Sequence, residues 1–183
     1  MKHRIERLFL LAAALFALSA GAALAESAKE IDERSDAALA RFYAEVKDGK
    51  ALAGRADAIL VLPKVVKGGL IVGGEYGEGA LRVGGRTVAY YNVISGSVGL
   101  TAGGEVKSLI ILFLQAEALR KFRDSHGWKA GVDGNIVVIK KGEGQPVFDI
   151  DKPKAPIVGY IVGVKGLIVD ESLNGSKFSQ IKR

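Results

Sequence analysis

Between Gly68 and Leu114 the chain reads GGLIVGGEYGEGALRVGGRTVAYYNVISGSVGLTAGGEVKSLIILFL, and glycine breaks its apolar stretches into runs of four to seven residues. An amphipathic helix needs a longer stretch with apolar positions at helical spacing. Short runs rich in Val, Ile, Leu and Tyr fit strands instead. Six of the twelve residues from Gly68 to Gly79 are glycine. A dinucleotide loop would place G-x-G-x-x-G between a strand and a helix. Here the order is Gly74-x-x-Gly77-x-Gly79, and the strand-like ALRVGGRTVAYY follows, so no helix N-terminus faces a phosphate. These glycines read as turn residues and as points where paired backbones approach closely, with GGEYGEG as a hairpin-turn region.

The flanks have a different texture. SAKEIDERSDAALARFYAEVKDG reads as a helix: Ser27 and Glu30 spell a capping box, Ile31, Ala38, Leu39, Phe42 and Val46 share one face, and Gly49 is its stop. Its net charge of −2 favours core packing over contact with anionic lipid. KALAGRADA predicts a short second helix, AILVLP a buried strand ended by Pro63, and QAEALRKFRDS a further helix. NIVVIKK, IVGYIVGVKGLIVDESL and SKFSQIKR predict closing strands, with the proline-bearing PVFDIDKPKAP as a loop. The expected fold is α+β: an N-terminal helix or helices, then a mainly antiparallel, glycine-rich sheet with one further helix.

Residues 1–25 predict a secretory signal peptide, with basic MKHRIER, apolar LFLLAAALFAL and the small-x-small ALA at Ala23–Ala25. The apolar run is shorter than the roughly 20 residues a membrane span needs. The expectation is export to the periplasm or beyond, with residues 26–183 as one domain. Without Lys2, Arg4, Arg7 and Glu6, 23 basic and 19 acidic side chains remain, a mild excess that permits an anionic partner. There is no cysteine, so no disulfide staples the core.

His126 is the one histidine after residue 25, which leaves little for a metal or a catalytic triad. SGSVG at Ser95–Gly99 falls one glycine short of G-x-S-x-G, and Ser97 with His126 would need Asp133 as its acid. The plainer reading is a Gly/Ser strand segment, with DGN at Asp133–Asn135 as a turn. No catalytic residue, cofactor or metal site is expected. The lack of a dense Lys/Arg stripe interleaved with aromatics argues against nucleic acid. VKGGLIVGGE from Val66 has an echo in VKGLIVDE from Val164; chance in a Val/Gly-rich chain is the plainer reading, and the alternative is two similar strands with Lys67 and Lys165 at matching ends.

The stretches AILVLPKVVKGGLIVGGEYGEGALRVGGRTVAYYNVISGSVGL, LRKFRDSHGWKAGVDG and KGLIVDESLNGSKFSQIKR together resemble the SYLF domain family over essentially all of residues 26–183. Thr101 and Glu105 stand where that family usually carries Gln. The resemblance implies a lipid-binding domain. Eukaryotic relatives are described as binding phosphoinositides, some of them actin, and many bacterial relatives are exported. It therefore implies an anionic lipid or membrane surface as partner, with the cationic side chains beside the glycine-rich strands as contacts: Lys64, Lys67, Arg82 and Arg86, joined by Lys165 through the echo. A structural or protein-interaction module of the envelope is the second expectation.

Overall fold

The computed structural model of the chain describes residues 26–69, 72–98, 103–139, 155–166 and 172–183. Helix α1 (Ala28–Glu45) opens with the capping box its sequence spells: the Ser27 hydroxyl accepts from the Glu30 amide, and the Glu30 carboxylate accepts from the Ser27 amide at 2.9 Å. Ile31, Ala38, Leu39 and Phe42 are buried along one side. The helix ends at Glu45, before the expected stop at Gly49. Gly49 instead begins helix α2 (Gly49–Arg55), because Asp48 turns the chain through the left-handed conformation (φ 60°). A Cβ on Gly49 would lie 3.2 Å from the Phe42 carbonyl oxygen, so this glycine serves helix-to-helix packing.

The sheet contains β1 (Ala58–Gly69), β2 (Val72–Val83), β3 (Arg86–Val98), β4 (Gly103–Phe113), β5 (Trp128–Lys129), β6 (Val137–Ile139), β7 (Ile157–Gly166) and β8 (Lys177–Ile181). Helix α3 (Ala116–Asp124) follows β4. The spatial order is β5-β8-β3-β2-β1-β4-β7-β6, antiparallel throughout except for the parallel β6–β7 pair. The fold is α+β, as the alternation of textures in the sequence implies. GGEYGEG is not a turn, however. It lies inside β2, and the β2–β3 turn falls at Gly84–Gly85, with φ of 57° and 80°. Neither Gly77 nor Gly79 has a positive φ; both sit against the backbone of β1, where a Cβ on Gly77 would come within 2.8 Å of the Lys64 carbonyl oxygen.

The close approach arises from a bulge. The register of β1 shifts between Val61 and Lys64 against β2, and between Leu62 and Val65 against β4. Pro63, which has no amide hydrogen for a ladder, occupies the irregularity, and its carbonyl accepts from the Ser108 hydroxyl at 2.8 Å. One extra residue reverses which side chains face which way. Leu60 and Leu62 face inward before the bulge, and Val65 after it. Val61 faces the opposite side before the bulge and joins the second core cluster.

The sheet curls around the inner cluster. Leu60, Leu62, Val93, Leu109, Ile111 and Ile161 meet Trp128 and Phe178 from the other end of the strand order. Phe122 of α3 fills the middle, with its ring 4.9 Å from Phe113 and 5.7 Å from Trp128. On the outer face α1 and α2 cover a second cluster: Ala38, Leu39, Phe42 and Leu52 pack on Val61, Ile110, Leu112, Val158, Tyr160 and Val162. Polar contacts fasten α1 at its other end. Arg82 bonds the Asp36 carboxylate and donates to the Asp32 carbonyl at 3.0 Å. Thr87 and Tyr90 donate to the Asp32 carboxylate at 2.7 and 2.9 Å.

Candidate functional site

The helices cover only part of the outer face. Beyond the bulge, Val106 of β4, Val66 of β1, Tyr76 of β2 and Ile94 of β3 are successive cross-strand partners, so they share one row on one face. They are 38%, 43%, 43% and 51% exposed, whereas Ile110, Val61, Ala80 and Tyr91 farther along the same strands are buried. The row continues outward on both sides into cations. Lys165 of β7 is opposite Val106; Lys177 of β8 is opposite Ile94, with Lys129 of β5 beyond it. All three lysines are exposed. Lys129 and Lys177 face each other directly, a like-charge pairing that costs sheet stability.

Alongside runs a second row, Gly104, Gly68, Gly74 and Gly96, again in register across β4, β1, β2 and β3. A Cβ on any of these would meet nothing closer than 3.8 Å. The glycine-rich strands therefore hold two kinds of glycine. Gly77 and Gly79 admit a close backbone, whereas Gly68, Gly74, Gly96 and Gly104 leave open space above the sheet. Next to that space lies a depression of about 470 Å³, lined by Lys64, Val66, Gly68, Gly74, Tyr76 and Ile94, with Glu26 and Glu78 at one side.

The acids on this face are neutralised within the chain. Arg34 pairs with Glu26. Arg183 donates to both oxygens of Glu78, from Nε at 3.1 Å and from Nη2. Burial alone would raise the Glu78 carboxyl, but the hydrogen bonds from Arg183 and Tyr76 outweigh it and hold it below the usual carboxylate range. Tyr76 donates to Glu78 at 2.5 Å, and burial together with that carboxylate pushes its phenol up to about 12. Tyr76 is thus a neutral, oriented ring. By contrast, Lys64, Lys129, Lys165 and Lys177 have no carboxylate partner among the described residues.

Directly behind the row, on the inner face, is a buried charge cluster. Lys107 lies 3.3 Å from Glu75 and 3.4 Å from Glu105, and all three are at least 94% buried. Lys67 is the register partner of both glutamates. Such a cluster confers no stability over a well-packed apolar one, yet losing one partner would strand a buried charge.

The sequence candidates separate accordingly. Lys64 and Lys165 lie on the uncovered outer face, whereas Lys67 faces inward. Arg82 and Arg86 lie at the far end of β2–β3; six residues separate Tyr76 from Arg82, about 20 Å of strand. Arg82 is held there by α1, and Arg86 is exposed at the hairpin. The echo places Lys67 and Lys165 at the same end of the sheet but on opposite faces, because β7 is bulged at Gly163 (φ 63°). Ser97 is the penultimate residue of β3, with its side chain outside the described residues; His126 is exposed in a bend; Asp133 accepts from the Lys129 amide at 2.7 Å. Among the described residues no group of His, Cys, Asp and Glu could hold a metal ion.

Sequence reasoning missed the row itself, Lys129, Lys177 and the inner charge cluster. A period-2 reading carries part of the signal: Glu75 and Gly77 alternate with Tyr76, and Glu105 and Lys107 alternate with Val106. No curated protein matches the chain. A family model described as Ysc84, Las17-binding protein actin regulator, matches residues 94–183, from the exposed Ile94 through β8. That stretch, just under half of the chain, is what the match to the Ysc84, or SYLF, domain family covers.

Proposed function

We propose that the domain is a non-enzymatic binder of anionic lipid at a membrane surface of the cell envelope, docking through the uncovered half of its outer face. The observation that carries this reading is the row of four exposed apolar side chains with lysines at both ends. An apolar centre enters the interface, Tyr suits the headgroup level, and long lysine stems reach the phosphates. Each Lys near an anionic surface contributes about 1 kcal/mol. Lys64 and Lys165, of the sequence candidates, belong to this face. Export completes the reading: cleavage after Ala25 frees Glu26, and N-terminal sequencing of the exported chain checks it.

Flotation with anionic and neutral vesicles tests the surface. Lys165→Glu with Lys177→Glu removes two attractions and adds two repulsions. Affinity for anionic vesicles falls at least tenfold at low salt, since about 1.4 kcal/mol is a factor of ten. Equal binding to both vesicle types, or no change in the folded double variant, overturns the reading. One observation favours a second reading: the family description names a Las17-binding protein and actin regulator. A chain that ignores vesicles but retains a protein partner through this face would be an interaction module.

A further inference from the structure

The depression beside the row points to a narrower ligand, an inference that rests on the lipid reading. Its size, about 470 Å³, lies within the roughly 300–1,000 Å³ of small-molecule clefts. Gly68 and Gly74 form its floor in an ordinary extended backbone, and a side chain would fit at either without a clash. Glycine in a strand costs about 0.5–1 kcal/mol relative to alanine. Nothing in the packing of the described residues recovers that cost; what these two glycines create is depth. Val66, Tyr76 and Ile94 form apolar walls, and Tyr76 is fixed by Glu78, which Arg183 clamps. A flat bilayer would rest on those side chains and leave the floor empty. The cation that lines the depression is Lys64, exposed and without a carboxylate partner among the described residues. The nearby carboxylates, Glu26 and Glu78, are each engaged by an arginine.

We propose that this groove takes the hydrocarbon chain of one anionic, single-chain amphiphile, with its head against Lys64. A chain lying over bare backbone between apolar walls is desolvated on three sides, and the lysine selects for a negative head.

Titration calorimetry of the protein with laurate, below its micelle concentration, tests the proposal. One laurate binds per chain, and dodecyltrimethylammonium does not bind. Gly74→Leu fills the floor, where its Cβ meets only the Ser95 carbonyl at 3.8 Å, and weakens laurate binding at least tenfold. Lys64→Gln weakens it several-fold. Should Gly74→Leu fail to fold, Gly68→Leu serves, since its Cβ meets nothing within 4 Å. Unchanged laurate binding in a folded floor variant overturns the proposal, as does equal binding of the cationic amphiphile. Flotation of the same proteins separates this inference from the surface reading. Vesicle binding without laurate uptake sinks the groove and leaves the surface standing; laurate uptake without vesicle binding does the reverse. A dimer that Tyr76→Ser disperses, with no laurate bound, overturns the proposal in favour of a second copy.

Discussion

The outer face of the sheet has two halves that share strands β1 and β4. In one half Val61, Ile110 and Tyr160 lie beneath Phe42 and Leu39 of α1. In the other, Val66, Tyr76, Ile94 and Val106 lie beneath nothing in the described chain. Both halves are apolar, and only one is covered. Apolar side chains in the covered half serve stability, because folding removes them from water. Those in the other half stay 38–51% exposed and contribute less to folding; on the proposed reading they meet a membrane surface.

Substitutions in the two halves should therefore part company. The largest effect is expected under the helix. Phe42 is fully buried with its ring 5.0 Å from that of Tyr160, and Phe42→Ala should cost about 3–5 kcal/mol in urea unfolding. A loss below 1 kcal/mol would mean that α1 is not an integral cover. Arg82 sits at the border, where its hydrogen bonds to Asp32 and Asp36 fasten the helix. Arg82→Gln should cost about 1.5–3 kcal/mol, the range for bonds to charged groups, and leave vesicle affinity within twofold. Lost vesicle binding with undiminished stability would move Arg82 to the other side of the comparison. The smallest stability change belongs to the uncovered half. Ile94→Ser should shift unfolding by no more than about 0.5 kcal/mol, yet lower vesicle binding measurably. If Ile94→Ser destabilises as Phe42→Ala does, the two halves are not distinct.

What could be read in advance follows the range of the interactions. The first helix was legible because Ser27, Glu30 and the Ile31–Phe42 spacing act within a few turns. The strands were legible because their apolar runs are too short for helices. The distribution of charge was not. Lys64, Lys67, Arg82 and Arg86 are neighbours in sequence, but they fall on two faces and at two ends of the sheet. Which face a residue joins depends on register, and Pro63, which reads locally as the end of a strand, instead marks a bulge within β1 that changes that register. The row of Ile94, Tyr76, Val66 and Val106 needs three correct strand pairings before it exists at all. GGEYGEG misleads for the same reason: its glycines answer to β1 and to open space rather than to a turn.

The bulge also bears on how freely the two ends of one strand can change. Ahead of it Leu60, Val61 and Leu62 are all inaccessible to water, so each tolerates only a substitute of nearly its own shape. Past it Val65 keeps that constraint, while Lys64 and Val66 escape it. A single added residue thus joins a segment locked on two sides to one locked on a single side, in one continuous ribbon. The second segment can be rewritten for a new ligand without renegotiating the first. A deletion at Pro63 would remove that independence, because every later side chain of the strand would exchange one face for the other.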